Sequence, residues 1–137
     1  MTYAGDVSPV EAYAATTGSA DALLVDVRTR AEWAYVGVPV LEGAGRAVAF
    51  VEWSTYPDGR VNEHFVEEVL AAGLEPGRPV YLLCRSGVRS RAAADALSAA
   101  GLGPAYNVLE GFEGPHDAQG HRTVAGWKVA GLPWRQG

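Results

Sequence analysis

The segment Cys84-Arg85-Ser86-Gly87-Val88-Arg89-Ser90-Arg91 sets the only cysteine of the chain beside three arginines within eight residues. A thiol in that company is either a small buried hydrophobe or a nucleophile whose thiolate is stabilised by what surrounds it. The segment lies between an apolar run, Pro79 to Leu83, that reads as a strand and an Ala-rich stretch, Ser90 to Ala100, that reads as a helix with Gly101 just past its end. A helix N-terminus, inward-turned amides around Gly87 and the arginine charges all favour the thiolate. Arginine in a first helical turn opposes the helix dipole, so a loop with a purely structural role has no use for this cluster. The pattern points to nucleophilic sulfur chemistry on an anionic substrate.

The elements that must position this loop are legible around it. The chain has 137 residues, 48% hydrophobic and 20% charged, with a net charge of −5, which predicts one folded domain over 1–137. A single cysteine excludes an intramolecular disulfide and a multi-thiolate zinc site. The longest charge-free stretch, Ala96 to Leu109, is short and broken by Gly101, Gly103 and Pro104, so no membrane span is expected. No basic residue precedes Arg28, which argues against a secretory leader and for a cytoplasmic protein. The negative balance argues against nucleic acid as a partner.

Ser8-Pro9-Val10-Glu11 is a capping box that opens a helix closed by Gly18, and Thr29 to Glu32 is a second box opening a short helix through Tyr35. Ala22 to Val27 and Ala47 to Val51 read as buried strands. Tyr56-Pro57-Asp58-Gly59 signals a turn, and Asn62 is expected to cap a helix ending at Gly73. Ala105 to Leu109 gives another strand, Gly111 begins a Gly-rich loop, and a last helix is expected over roughly Val124 to Ala130. Strands alternating with helices predict an α/β fold: a mainly parallel central sheet, helices on both faces, and a ligand site outside the carboxyl ends of the strands. Cys84 stands at such an end.

Cys84 to Arg89 resembles the six-residue active-site loop of the rhodanese-like sulfurtransferases. The stretch Leu24-Val25-Asp26-Val27-Arg28-Thr29-Arg30-Ala31-Glu32-Trp33 is similar to that family's Asp-Val-Arg signature with its Glu-aromatic pair. Asn107 to Phe112 resembles the last strand and glycine turn, and Trp127 to Pro133 the closing helix. The resemblance implies the three-layer rhodanese-like fold and a sulfur relay without a cofactor or metal. Cys84 would attack the outer sulfur of a donor such as thiosulfate, and a thiol, a protein thiol or cyanide would take the sulfur from the resulting persulfide. It further implies that Arg85, Ser86, Gly87, Val88 and Arg89 bind the substrate, through their amides and the two guanidinium groups. Asp26 and Arg28 would brace the loop from a neighbouring strand end, with Glu32 and Ser90 in support. The plain alternative for Asp26 and Arg28 is an ordinary ion pair with Glu32.

The chain departs from the family pattern at Val36-Gly37-Val38-Pro39-Val40, where many members carry a Gly-His-Ile sequence. Segments 53–61 and 114–123 exceed what a minimal domain needs and are expected as loops at the functional edge, shaping an acceptor site or binding a partner, or merely inserted at the surface. Two other functions share the setting. A phosphatase or arsenate reductase loop is one residue longer between Cys and Arg than Cys84 to Arg89, and the position that would then carry Arg is Ser90. A non-catalytic interaction module of the same family typically lacks the cysteine. His64 reads as a surface residue, and His116, Asp117 and His121 lack the register of a metal site. Trp33, Trp53, Trp127 and Trp134 read as packing residues, with Trp53 or Trp134 open to a place in the acceptor pocket.

Overall fold

Leu23, Val25 and Val27 enter one buried apolar cluster while Leu24 enters another, and Leu82 and Leu83 divide in the same way. A strand that feeds two cores is covered on both faces, which is why these runs are almost continuously apolar. The computed structural model describes residues 3–19, 21–41, 48–55, 58–122 and 124–136. In chain order the elements are β1 (Gly5–Val7), α1 (Pro9–Gly18), β2 (Leu23–Asp26), α2 (Arg30–Tyr35), β3 (Val38–Pro39), β4 (Ala49–Phe50), α3 (Phe65–Ala71), β5 (Pro76–Leu83), α4 (Val88–Ala99), β6 (Gly103–Val108) and β7 (Trp134–Arg135).

Five strands form a parallel sheet in the order β1-β6-β5-β2-β4. Phe65 and Val69 of α3 pack on one face with Ala93, Ala94 and Leu97 of α4. Ala12 of α1 packs on the other with Phe112 and Trp127. The order brings the carboxyl ends of β2, β5 and β6 side by side, so the loops that follow them meet at one edge. Both capping boxes form, with Ser8 paired to Glu11 and Thr29 to Glu32. Among the described residues no helix is long and apolar enough to cross a membrane.

The structure corrects several local expectations. The segment from Val124 to Ala130 is a series of bends and turns, not a helix. Its amides are used elsewhere: Trp127 N–H donates to the Gly111 carbonyl and Lys128 N–H to that of Phe112. Asn62 does not cap α3; the helix starts at Phe65, and the Asn62 side chain instead accepts from the His64 amide in a turn before it. Helix α4 begins at Val88, two residues ahead of Ser90, because Gly87 takes the capping position. Strand β1 and the antiparallel β3–β7 pair were not expected. Ala47, Tyr56 and Pro57 lie outside the described residues.

Candidate active site

Cys84 follows the last residue of β5 and is buried, with 1% of its surface exposed. Gly87, at φ 109°, occupies the left-handed region that favours glycine, and this turns the chain sharply enough for its amide to face back. That N–H donates to Cys84 Sγ over 3.1 Å, and the Ser90 hydroxyl stands 3.3 Å from the same sulfur on the first turn of α4. The sulfur thus sits on the floor of a tight loop at the positive end of a twelve-residue helix.

The loop is clamped from behind by backbone. Phe112 N–H donates to the Cys84 carbonyl at 2.8 Å, and the amides of Glu113 and Gly114 both donate to the Arg85 carbonyl, at 3.0 and 3.1 Å. With these two carbonyls held by the clamp, the Gly87 amide faces the sulfur. The approach is so close that a Cβ on Gly111 would lie 2.4 Å from the Cys84 carbonyl oxygen.

Asp26 and Arg28 are fully buried and pair with each other. Arg28 Nε and Nη2 donate to the Asp26 carboxylate at 2.9 and 2.7 Å, and Nη2 also reaches the Gly37 carbonyl. The Arg28 guanidinium lies over the Phe112 ring, 4.3 Å from its centroid, and so presses on the residue whose amide holds the Cys84 carbonyl. Glu32 pairs with neither of them. Its carboxylate accepts both terminal nitrogens of Arg89, at 2.6 and 2.9 Å. Burial pushes the Glu32 carboxyl up, but the Arg89 hydrogen bond, the Thr29 amide and the charges of Arg89 and Arg28 outweigh it, leaving the carboxyl below its ordinary range. The hydrogen bond to Glu32 likewise raises Arg89, against the effect of burial.

The remaining loop residues face outward. Arg85 and Val88 are exposed, Ser86 is partly so, and among the described residues the Arg85 side chain has no hydrogen-bond or ion-pair partner. Arg85 and Arg89 share the lining of a cleft of about 450 Å³ with Thr29, Glu32, Ser54 and Thr55. Ser54, Thr55 and Gly59 of the 53–61 segment thus line this cleft, and Ser54 is bridged to Val61. Residues 114–122 are anchored to the clamp, where Arg122 donates to the Gly114 carbonyl. Trp53 packs on Phe65 and Trp33 on Phe50, while Trp134 packs edge-on against Phe112.

Two residues, Asn107 and Asp6, linked to the sulfur through Ser90, escaped assignment from sequence. Ser90 Oγ donates to Asn107 Oδ1, and Asn107 Nδ2 donates to Asp6 Oδ1 at 3.0 Å. The available signal was Asn107 itself, a polar side chain in an otherwise apolar strand, which must be hydrogen-bonded if buried.

The sequence model of the family described as Rhodanese-like domain matches residues 8–118. The crystal structure of Rv0390 from M. tuberculosis superposes with a TM-score of 0.90 at 51% identity, covering 99% of this chain and 100% of that one. The solution structure of the polysulfide-sulfur transferase homodimer from Wolinella succinogenes gives a TM-score of 0.64 at 21% identity, over 98% of this chain and 80% of that one. The uncharacterized protein RC0915 of Rickettsia conorii is 33% identical over 131 residues, which is 95% of this chain and 96% of the relative.

Proposed function

This chain belongs to the rhodanese-like domain family, and from that premise we propose that it is a sulfurtransferase acting as one domain, with Cys84 as its nucleophile. The observation that carries the reading is the Gly87 N–H aimed at Cys84 Sγ over 3.1 Å from the mouth of α4. A hydrogen-bond donor placed there favours negative charge on sulfur, and an amide with a helix dipole behind it stabilises such charge in both the thiolate and the persulfide. In the first step the Cys84 thiolate attacks the outer sulfur of thiosulfate or of a persulfide. A new S–S bond forms, the old one breaks, and its electron pair leaves with sulfite or with the donor's thiolate. In the second step a thiolate or cyanide attacks the outer sulfur of the Cys84 persulfide and the Cys84 thiolate departs.

Arg85 is the cation available to an incoming anionic donor, while Arg89, tied to Glu32, holds the first turn of α4 in place. The acceptor is a small thiol or a protein thiol that enters through the cleft beside Arg85, and the reaction uses neither cofactor nor metal. The loop, shorter between Cys84 and Arg89 than a phosphate cradle, supports sulfur transfer over phosphate chemistry. Intact-protein mass spectrometry after incubation with thiosulfate tests the proposal. The expected product is one sulfur atom heavier, reverts on adding cyanide, and does not form in Cys84→Ser. No added sulfur with either thiosulfate or a small-molecule persulfide would refute it.

A further inference from the structure

A row of side chains leads from the sulfur to the edge of the sheet, and its hydrogen-bond polarity is fixed from the far end. Asp6 and Asn107 are register partners on the adjacent strands β1 and β6. An Asp6 carboxylate can only accept, so the Asn107 group 3.0 Å away is its Nδ2, and Oδ1 must face Ser90. An amide oxygen carries no proton, so the proton between Ser90 and Asn107 belongs to Ser90. A serine hydroxyl has one proton, and the Ser90 oxygen therefore presents only lone pairs toward Cys84 Sγ. That arrangement suits an S–H donor and repels a thiolate.

We propose that Asp6 is a positioning residue that, through Asn107 and Ser90, holds Cys84 in its protonated form until the Ser90 hydroxyl turns toward the sulfur. Turning it strips Asn107 Oδ1 of its donor in a fully buried position, which is costly. Rotating the Asn107 amide would restore that bond, but would point Oδ1 at the Asp6 carboxylate. The inference deepens the proposed role of Cys84 and rests on it for its functional meaning. Other charges near the sulfur are unchanged by this device: Arg89 with its partner Glu32 from α4 and α2, the buried Asp26–Arg28 pair at the end of β2, and Arg85 in the loop. Asp6 itself is faced by the Tyr3 hydroxyl, which donates to it, and beyond Tyr3 by Arg91 of α4.

The only cysteine in the chain makes thiol alkylation a direct reading of this site, independent of any turnover. The experiment follows iodoacetamide alkylation across pH for the wild type, Asp6→Ala, Ser90→Ala and the double variant. Asp6 is exposed on an edge strand, and Asp6→Val, which keeps a good strand former without an acceptor, backs up Asp6→Ala. In either Asp6 variant the Asn107 amide is free to turn and donate to Ser90. The pH midpoint of alkylation should then fall by about one unit, with roughly tenfold faster reaction below it. In the Ser90→Ala background the same change should have no effect on the midpoint. An unchanged midpoint in folded Asp6 variants overturns the proposal. So does an equal shift with and without Ser90, which would mean that the Asp6 charge acts through space. A failed sulfur-transfer assay with the predicted midpoints would instead count only against the function.

Discussion

Arg89 and Glu32, 57 positions apart in the chain, form a two-pronged ion pair that ties the first turn of α4 to α2 across the mouth of the cysteine loop. Both side chains are largely shielded, so the pair is less screened than a surface bridge. The Glu32 carboxyl is held below its ordinary value, so the pair adds stability that is full above the unfolded value and is lost as pH falls through the folded one. Glu32→Gln should therefore melt below wild type at pH 6, by on the order of 1–3 kcal/mol. The gap should narrow steadily as the pH drops below about 4. Melting curves of both proteins from pH 3 to 6 check this, and a gap that is constant over that range would mean that the ionised pair contributes nothing.

The two loop arginines should separate in kinetics. Arg85, exposed and unengaged among the described residues, meets the donor directly, so Arg85→Ala should raise KM for thiosulfate about tenfold with little change in kcat. Arg89→Ala frees Glu32 and loosens the turn that carries Gly87 and Ser90. It should lower kcat and the melting temperature more than it raises KM. The opposite assignment of the two effects would show that Arg89 leaves Glu32 to hold the donor.

Gly111 and Gly87 both have positive φ, but their surroundings differ. A Cβ at Gly87 meets nothing nearer than 3.7 Å, so Gly87→Ala bears backbone strain alone, about 1–2 kcal/mol. A Cβ at Gly111 would collide with the Cys84 oxygen and with the Arg85 carbonyl carbon at 2.6 Å, and the loop must move. Gly111→Ala should thus cost at least as much stability, roughly 1–3 kcal/mol beyond the strain. It should also slow single-turnover persulfide formation more than Gly87→Ala does. Equal rates in the two variants would mean that the clamp does not set the loop geometry.

p-Nitrophenyl phosphate should not be hydrolysed above background. Cys84 to Arg89 is one residue too short for a phosphate cradle, and Arg89 is occupied by Glu32. Turnover that disappears in Cys84→Ser would show that the loop opens enough to hold a tetrahedral oxyanion.

The parts of the site that sequence revealed are the local ones. The strand before Cys84, the two capping boxes and the arginine-flanked loop each depend on a few neighbouring residues, whose periodicity and side-chain chemistry suffice. What escaped was set by distant partners. Gly5–Val7 becomes a strand because β6 offers it an edge, not because three residues containing Gly and Asp favour one. Val38–Pro39 and Trp134–Arg135 pair although they lie far apart in the chain. Glu32 was recognised as part of the site, yet its partner lay on another helix and not in the adjacent Asp26–Arg28 segment. The turns at 124–130 looked helical because their apolar spacing hid amides already claimed by Gly111 and Phe112.

The clamp behind the loop is made of amides and carbonyls, so its instructions are carried by the path of the chain and hardly by side-chain identity at Glu113. A substitution scan would find that position permissive even though its backbone holds Arg85. Shifting the register is another matter. One residue inserted between Gly111 and Gly114 would leave the carbonyls of Cys84 and Arg85 facing the wrong donors. Enlarging the cysteine loop toward another chemistry therefore demands a matching change in a turn far along the chain, and neither alteration alone passes through a well-formed intermediate.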